Sequence, residues 1–334
     1  MFLYLLNTLF VGFAYGTFSI VAVDLDSGIV GSAGGSCIAN SIIISDIHPG
    51  IGVIHTQSYW MSGNQQYAST LMDEGHSPNE IIELLQSNDL INNPSIRQYG
   101  VVDIFSGNNY GLLYEYECNE IPNTQWEGST DIGGLALCTD IPISRSASFT
   151  GENCSNWKGH IDGINYAIQG NILLNDSILI NMENNFINTN GTLDQKLMAA
   201  LQGAKVPGAD TRCLDEGIST LSAFIRVAKS TDVDSYYMDL NIDNVTPYYS
   251  QNGVWIDPVD TLQIKFNNWY QEEFEFDDGD VNQDNIVDVL DIIFAINAIL
   301  GNYITGLEHY LLDINNDNNV NIQDIILLIN IVLS

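Results

Sequence analysis

The chain has 334 residues, of which 45% are hydrophobic, and a formal net charge of −33 because only nine residues are Lys or Arg. That length and apolar content can fill a sizeable core and favour two domains over one. The scarcity of basic residues excludes a phosphate-binding footprint, so we expect no nucleic-acid partner and no attraction to anionic lipid. The acidity suits divalent cations or a solvated extracellular surface.

Residues 1–16 are mainly apolar, and the small residues Ala14 and Gly16 are the third and the first residue before a possible cut after Gly16. A secretory signal peptide has this pattern, so the sequence predicts a cleaved leader and a mature chain that begins at Thr17. The run is interrupted and shorter than the about 20 apolar residues of a membrane span. We therefore expect a secreted or extracellular protein with no membrane span after signal cleavage, and cell-surface tethering is an open alternative.

Cleavage there would give Thr17 a free α-amine beside its hydroxyl, so one residue would hold both a nucleophile and a base. An α-amine has an ordinary pKa of about 7.7 to 8.0, so a sizeable fraction is neutral near pH 7 and can accept the hydroxyl proton. N-terminal-nucleophile (Ntn) hydrolases use this chemistry. The simpler interpretation is that Thr17 opens a β-strand, as β-branched residues often do.

The predicted elements after Thr17 are strands and helices joined by polar turns. Strands are expected at 17–24, 29–32, 51–57, 97–105, 146–150, 163–169, 218–227 and 236–242. Helices are expected at 63–74, 78–87, 176–187, 193–202 and 258–273. The helix at 78–87 has the best-defined start, because a Ser cap is followed by Pro at the first helical position and Glu at the third.

Three polar motifs in this region are candidate binding features. The segment Gly34–Ser36 follows the second strand, where two glycines would let backbone amides approach a ligand; a bulge or tight turn is the alternative. The segment Gln169–Asn171 ends a strand with two side-chain amides that can donate to an oxyanion. Asp210 and Arg212 share a loop, where they could pair structurally or orient a substrate.

Five cysteines suit an oxidising compartment if most of them pair. Their spacings contain no Cys-x-x-Cys, which argues against a zinc site. The sequence alone does not fix the pairing. The preferred pair is Cys118 with Cys138, which lie in one loop-rich stretch, and one of Cys37, Cys154 and Cys213 is expected to stay free.

Two segments near the C-terminus, 280–291 and 313–324, repeat one pattern. Both carry oxygen-bearing side chains at loop positions 1, 3, 5, 9 and 12, as a calcium-binding loop of the EF-hand type requires, and a backbone carbonyl would serve at position 7. The predicted ligands are Asp280, Asn282, Asp284, Ile286, Asp288 and Asp291 in the first loop, and Asp313, Asn315, Asp317, Asn319, Asn321 and Asp324 in the second.

Helices are predicted after these loops, at 289–300 and 322–333, and the stretch from residue 277 onwards contains no Lys or Arg. Without a cation the clustered carboxylates would repel one another. We therefore expect two Ca²⁺ sites, with metal binding coupled to the folding of this region.

The C-terminal repeat resembles a type I dockerin over 279–334. The resemblance implies a small all-α module that binds calcium and docks onto a cohesin-like module of an extracellular assembly. Dockerins usually recognise their partner through loop positions 10 and 11, which here are Val289 with Leu290 and Ile322 with Gln323. These residues are more apolar than the hydroxyl pairs that are common in the family.

Residues 17–229 resemble the domain-of-unknown-function family ten twenty-eight (DUF1028), an Ntn-hydrolase-like group. The matching segments are Thr17–Ala22, Gly50–Gln57, Gln98–Asp103, Phe149–Gly151, Trp157–His160, Tyr166–Asn171 and Gly208–Arg212. The resemblance implies a four-layer αββα sandwich whose threonine start falls on Thr17. The implied oxyanion or substrate contacts are the Gly35 and Ser36 amides and Asn171, with Gln57, Asp210 and Arg212 nearby.

The sequence thus predicts a signal peptide (1–16), an α+β Ntn-hydrolase-like domain (17–276) and an all-α dockerin-like calcium-binding domain (277–334). The first domain would contain an insertion at about 107–145 and a C-terminal extension at about 230–276.

Two hypotheses of function follow from this organisation. In the first, the protein is a secreted amidohydrolase with Thr17 as the catalytic nucleophile, acting on an unidentified small molecule or peptide. In the second, the sandwich is a non-catalytic binding component that the dockerin displays. Because dockerins often occur in polysaccharide-degrading complexes, the resemblance also implies that such a binding component could belong to a complex of this kind. No lysine occurs before Lys158, so the lysine that assists threonine in proteasome-type relatives has no obvious equivalent.

Overall fold

Strands and helices follow one another along the chain in largely the predicted order. The computed structural model describes residues 17–104, 146–243, 256–274, 278–301, 304, 306–315 and 319–333, together with strands at 114–120 and 136–142. The strands are β1 (Thr17–Asp24), β2 (Ile29–Ser36), β3 (Ser45–His48), β4 (Gly52–Ser58), β5 (Arg97–Asp103), β6 (Tyr114–Glu120), β7 (Ala136–Pro142), β8 (Ser146–Thr150), β9 (Gly159–Asp162), β10 (Tyr166–Asn171), β11 (Ser222–Ala228) and β12 (Met238–Asp243). The α-helices are α1 (Ser62–Asp73), α2 (Pro78–Ser87), α3 (Ser177–Asn188), α4 (Leu193–Ala204), α5 (Pro258–Phe274), α6 (Val289–Ile299), α7 (Gly306–Leu312) and α8 (Ile322–Val332).

Two main antiparallel sheets form the centre of the first domain. The larger has six strands in the order β12-β11-β2-β1-β10-β9, and the smaller has four in the order β3-β4-β5-β8. Strands β6 and β7 pair separately. This mixture of antiparallel sheets and helices agrees with the predicted α+β class. Strand β1, which begins at Thr17, lies inside the larger sheet between β2 and β10.

Residues of β1 point alternately to two apolar layers, as the two-residue period of a strand requires. Phe18 and Ile20 face outward and pack with α3 and α4. Val21 faces inward and meets Val53 and Val102 of the smaller sheet. Helices α1 and α2 cover the other side of that smaller sheet. The layers therefore run from α1 and α2 through the two sheets to α3 and α4.

The second strand is longer than the sequence predicts. Strand β2 continues through Gly34 and Gly35, so the glycine pair lies inside a strand and not in the loop after it. A Cβ at Gly35 would come within 2.9 Å of the Phe18 ring, and one at Gly34 would lie 3.0 Å from the Phe224 ring. The glycines thus let bulky side chains of neighbouring strands pack over β2.

A disulfide joins Cys37, directly after β2, to Cys213 in the segment before β11, with Cα atoms 5.7 Å apart. Cys154 is buried and free, which confirms that one of these three cysteines stays unpaired. Cys118 and Cys138 lie opposite each other in the β6–β7 ladder. Their side chains are outside the described residues, so the preferred pairing stays a prediction.

Several other predictions fall outside the described residues. They concern the leader at 1–16, most of the insertion at about 107–145, and part of the extension at about 230–276. In the part of the chain that the structure does describe, no helix is both long and apolar enough to cross a membrane.

The C-terminal region has a small core of its own. Val281, Ala295, Leu312, Ile325 and Leu328 are buried together, and they come from the first acidic loop and from α6, α7 and α8. Helices α6 and α8 follow the two acidic loops, as predicted. Helix α7 connects them and is not predicted from the sequence.

A buried ion pair fixes the start of β5. Arg97 Nε donates to Asp89 Oδ2 at 2.7 Å, and the two side chains are 2% and 0% exposed. Arg97 also donates to the Tyr59 carbonyl, and Asn64 Nδ2 donates to Asp89 Oδ2 at 2.6 Å. Burial opposes ionisation of Asp89, but the donors Arg97, the Asn93 amide and Asn64 together hold its pKa below the ordinary value.

Replacement of Asp89 tests this pair. We expect Asp89→Asn to lower the free energy of unfolding at pH 7 by about 3 kcal/mol, because the Arg97 charge would stay buried without its partner. Since folding lowers the Asp89 pKa, the contribution of the carboxylate is complete above the unfolded-state pKa of about 3.9. It is lost as the pH falls through the lower folded-state pKa, so the two proteins should converge there.

Urea unfolding at several pH values measures both effects. Asp260→Asn is the matched control, because the Lys205–Asp260 pair is exposed (37% and 46%) and should contribute under about 0.5 kcal/mol. Equal losses in the two variants would contradict the assignment.

Candidate functional site

The space between the two sheets changes from apolar to polar along β1. Val23 near the end of the strand belongs to the apolar cluster between the sheets, whereas Ser19 and Thr17 occupy the same inner face four and six residues earlier. Across the gap, β4 changes in the same way from Val53 to Gln57. All of these side chains are fully buried. Buried polar groups need hydrogen-bond partners, so a concentration of them inside a protein calls for an explanation. We therefore take the polar end as the candidate site.

Thr17 lies in the middle of a row of polar residues at this end. Its Cα pairs with Asn171 of β10, and the register with β2 places Ser36 on its other side. Residues opposite each other in antiparallel strands point to the same face. Asn171 reaches Gln98 of the smaller sheet, so the Thr17 side chain also points into the space between the sheets.

Gln98 of β5 is the centre of a buried hydrogen-bond network. Its Oε1 accepts from Gln57 Nε2 at 2.8 Å and from Asn171 Nδ2 at 3.0 Å. Its Nε2 lies 3.0 Å and 2.9 Å from the carbonyl oxygens of Gly159 and Gly170. One amide side chain therefore links both sheets next to Thr17.

A second amide, Gln169 of β10, extends the network toward the apolar part of the space between the sheets. It pairs with Ser19, two residues further along β1 than Thr17. Its Nε2 donates to Ser19 Oγ at 2.7 Å and lies 3.2 Å from His55 Nδ1. Ser19 in turn donates to Gln57 Oε1 at 2.7 Å. Burial lowers the pKa of His55 to about 3, and the Arg226 charge is the smaller cause. His55 is therefore neutral at ordinary pH, so none of the side chains in this network carries a formal charge.

An ion pair lies beside Ser36 at the edge of the site. Asp210 is fully buried and accepts from Arg212 Nε at 3.0 Å and from Arg212 Nη2 at 2.6 Å. Asp210 Oδ2 also accepts from the Cys37 amide at 2.9 Å, and Arg212 Nη2 lies 3.3 Å from Ser36 Oγ. The disulfide at Cys37 ties the same two segments together. The fold thus brings a guanidinium group to the strand end beside Thr17.

Most of the predicted site residues meet in this region, although their roles stay predictions. Thr17, Gln57 and Asn171 belong to the row and its network, and Asp210 and Arg212 join through Ser36. Gly35 differs, because its backbone pairs with strands on both sides inside β2.

One member of the network, Gln98, is not among the predicted site residues, and Gln169 is predicted only as a possible oxyanion donor at the end of its strand. Strand alternation puts Gln98 on the same face as Val102, and Gln169 on the same face as Ala167, in the space between the sheets. A glutamine at an inward position must find partners, so the two positions were accessible from the sequence. The identity of their partners was not, because these come from distant strands.

The first acidic loop of the tail is folded around two buried carboxylates. Asp280 is 1% exposed and Asp291 is 0% exposed. Asp291 accepts from three backbone amides of the loop at 2.9 to 3.2 Å, and Asp280 accepts from the amides of Asp284 and Asn285 at 3.1 and 2.9 Å. Burial raises the pKa of Asp280, and the carboxylates of Asp291 and Asp284 raise it further. Carboxylate oxygens are the type of donor that a hard divalent cation such as Ca²⁺ prefers.

The backbone of the first loop also has the tight turn that such a site needs. Asn285 has φ of 66° at loop position 6, where EF-hand loops carry glycine. Asparagine enters this left-handed region more readily than most residues, which explains the replacement.

The second acidic loop is described in part. Asp324 is 1% exposed and accepts from the amides of Asn315 and Asn321 at 3.3 and 2.9 Å. Asp313 and Asn319 are also described, whereas the predicted ligand Asp317 lies outside the described residues. Across the part of the chain that is described, no three His, Cys, Asp or Glu side chains are grouped so as to hold a metal ion. Two calcium sites therefore stay a prediction.

Comparison with known proteins accounts for both parts of the chain. A sequence model of the family of unknown function DUF1028 matches residues 17–111 and 141–248, and a model of the type I dockerin domain matches residues 278–333. A solved structure of similar fold is the protein SPO2555 from Silicibacter pomeroyi, a DUF1028 protein, with a TM-score of 0.52 and 19% identity, covering 76% of this chain and 89% of that chain. No curated protein matches the chain. Both resemblances stated from the sequence are confirmed.

Gln98 provides a direct test of the network. We expect Gln98→Leu to lower the free energy of unfolding by about 2 to 4 kcal/mol, because leucine has a similar size but leaves the amides of Gln57 and Asn171 without an acceptor in a buried place. Urea unfolding measures the change. Gln66→Leu on the exposed face of α1 is the matched control and should stay within about 0.5 kcal/mol. A Gln98 variant as stable as the control would rule out a structural role for the network.

Proposed function

Because the chain belongs to the DUF1028 family and ends in a type I dockerin domain, we propose that it is a secreted amidohydrolase attached to a cohesin-bearing extracellular assembly. In this proposal removal of residues 1–16 makes Thr17 the N-terminal residue and the catalytic nucleophile. Type I dockerin domains bind calcium, so the attachment depends on Ca²⁺.

The position of Thr17 is the observation that carries the proposal. Thr17 begins a strand inside the six-stranded sheet, and its side chain lies in the polar part of the space between the sheets, flanked by Ser36 and Asn171. An N-terminal threonine at this place would present hydroxyl and amine from one Cα. Because the strand is paired on both sides, the backbone would hold the nucleophile in one geometry.

The proposed reaction uses the terminal residue for every proton transfer. The neutral α-amine of Thr17 takes the proton from Oγ as that oxygen attacks the substrate carbonyl carbon. The carbon–nitrogen bond then breaks, and the leaving amine departs with that proton, which leaves an acyl ester on Oγ. Water attacks the ester with the α-amine again as base, the carboxylic acid leaves, and the hydroxyl is restored.

The flanking side chains are the proposed contacts of the substrate. Asn171 carries two amide hydrogens, one of which goes to Gln98, so the other can donate to the oxygen on which negative charge develops. Ser36 and the Arg212 guanidinium lie on the opposite flank. We assign Gln57 the role of orienting the Gln98–Asn171 amides, and Asp210 that of holding Arg212.

The order of layers supports an Ntn-hydrolase-type αββα sandwich for the first domain. Helices, the four-stranded sheet, the six-stranded sheet and further helices follow one another, and both sheets contribute polar residues to the end where Thr17 lies. We propose that this domain spans 17–276, with the insertion at about 107–145 and the extension at about 230–276. The dockerin domain would then span 277–334.

Two apolar stripes on the dockerin domain support the attachment. Helices α6 and α8, with the residue that follows each of them, expose apolar side chains at equivalent positions of the repeat, between 36% and 79% accessible. They are Val289, Ile293, Ile296 and Leu300 in the first copy and Ile322, Ile326, Ile329 and Leu333 in the second. Exposed apolar surfaces of this extent mark protein interfaces. We propose that these stripes contact the cohesin, and that two Ca²⁺ ions shape the loops before them.

The alternative function is the display of a non-catalytic binding domain, in an assembly that degrades polysaccharides. Two observations favour it. Thr17 is fully buried in the chain as it stands, and no lysine precedes Lys158 to assist a threonine nucleophile.

The first test examines the N-terminus and its chemistry together. We expect the mature secreted protein to begin at Thr17 by intact mass, and an acylating probe to add one label at that residue. Turnover of amide and peptide substrates should rise with pH through the α-amine pKa of about 7.7 to 8.0. Thr17→Ala should abolish both labelling and turnover, because it removes the nucleophile.

Thr70→Ala is the matched control, because Thr70 is exposed on α1 and bonds only to its own helix. It should leave both signals unchanged. A mature chain that starts elsewhere, or a Thr17→Ala variant with undiminished turnover, would exclude the proposed catalysis. A protein that begins at Thr17, is not labelled and turns over nothing would favour the binding alternative.

The second test concerns attachment. A type I cohesin should bind the full-length protein in Ca²⁺ and lose it in chelator, and Asp280→Ala should weaken binding at least tenfold, because it removes a buried ligand of the first loop. Asp176→Ala, an exposed carboxylate before α3, is the control and should bind like the wild type. Calorimetric titration measures both, and binding that persists in chelator would contradict the calcium dependence.

A further inference from the structure

Helix α7, which directly precedes the second acidic loop, packs against the DUF1028 domain. Leu311 of this helix is 1% exposed and belongs to the large core cluster that contains Phe266 and Tyr270 of α5. Tyr310 packs against the same cluster. The next residue, Leu312, is buried instead in the core of the dockerin domain. One short helix therefore supplies neighbouring residues to two hydrophobic cores.

The first acidic loop also contacts the DUF1028 domain close to α7. Gln283 lies at loop position 4, between two predicted ligands, and its Oε1 accepts from Gln195 Nε2 of α4 at 3.4 Å. The other end of the Gln195 amide accepts from the Thr192 amide at 3.1 Å, which caps α4. Directly before the loop, the Gly279 amide donates to the Leu311 carbonyl at 3.1 Å. The loop, α7 and the first turn of α4 are thus connected to one another.

The surface that receives α7 is well ordered by its own contacts. The Tyr270 hydroxyl donates to Asp194 of α4 and lies 3.1 Å from Thr192 Oγ1. Burial, and then the Asp194 charge, raise the pKa of Tyr270, so the hydroxyl stays a neutral donor. The Trp269 ring packs edge-on against Tyr270, with centroids 5.3 Å apart. Helix α4 in turn packs over β1 and β2.

From these contacts we infer that the dockerin domain is docked on the DUF1028 domain through α7 and the first loop, and that Ca²⁺ bound in this loop stabilises the DUF1028 domain. A ligand that binds only an ordered loop stabilises every part of the chain whose unfolding would disturb that loop. As a consequence, the DUF1028 domain would have one fixed orientation relative to a bound cohesin, because no flexible linker would separate it from the dockerin domain.

The tryptophans make the coupling measurable in the full-length chain. All five, Trp60, Trp126, Trp157, Trp255 and Trp269, precede the dockerin domain, so their fluorescence follows unfolding of the DUF1028 domain alone. We expect the thermal midpoint of this signal to be about 5 °C higher in saturating Ca²⁺ than in chelator. Asp280→Ala and Leu311→Asp should each abolish this difference, because the first removes the ligand and the second the docked side chain.

Leu333→Asp is the matched control, because Leu333 is 79% exposed at the end of α8, and this variant should keep the difference. Calorimetric titration shows whether Leu311→Asp still binds Ca²⁺. If that variant has lost the metal, Gln195→Ala decides, because it alters only the DUF1028 side and should at least halve the difference.

A wild-type midpoint that does not respond to Ca²⁺ would overturn the inference. So would a full response in a Leu311→Asp variant that binds Ca²⁺, in Gln195→Ala, or in Asp280→Ala. None of these measurements uses turnover, so the result does not depend on whether Thr17 is catalytic.

Discussion

The structure depends on the pairing of β1 with β10 from Thr17 onward and with β2 from Phe18 onward. This pairing fixes the register, and the register decides which residues of β1 face the helices and which face the second sheet. A slip by one residue would turn Phe18 and Ile20 toward the polar network and Thr17 and Ser19 toward the helices. The same hydrogen bonds therefore set both the hydrophobic core and the place of the candidate nucleophile.

Features with a local cause were predictable from the sequence, and features with a distant cause were not. The Ser cap of α2 and the acidic loops each carry their signal within a few residues, so their positions agree with the structure. The pair Gly34 and Gly35 looked like a loop, because the aromatic rings that require glycine there belong to other strands. Helix α7 was not predicted for a related reason. Its seven residues give too short an apolar pattern to recognise, and the residues that cover Leu311 come from a distant part of the chain.

The polar interior achieves its order mostly with neutral groups. Gln57 and Asn171 both donate to Gln98, Gln169 is linked to Gln57 through Ser19, and burial keeps His55 neutral. A network of neutral groups avoids the free-energy cost of removing a charged group from water. The few basic residues of this acidic protein include two that neutralise buried carboxylates, in the pairs Arg97–Asp89 and Arg212–Asp210. Among the residues that the structure describes, most other carboxylates lie at the surface or in the two acidic loops.

The neighbours of β1 also determine when the first domain can form. Thr17 pairs with Asn171, and β2 pairs with β11 near residue 225, while the disulfide spans 176 residues. Sheets built from such distant segments form slowly, because long stretches of chain must be brought together first. In the proposed maturation, the bond before Thr17 would be cut while these strands are still apart and the chain is open to a peptidase. Thr17 is buried in the closed sheet, so the order of folding would set the period available for this cut.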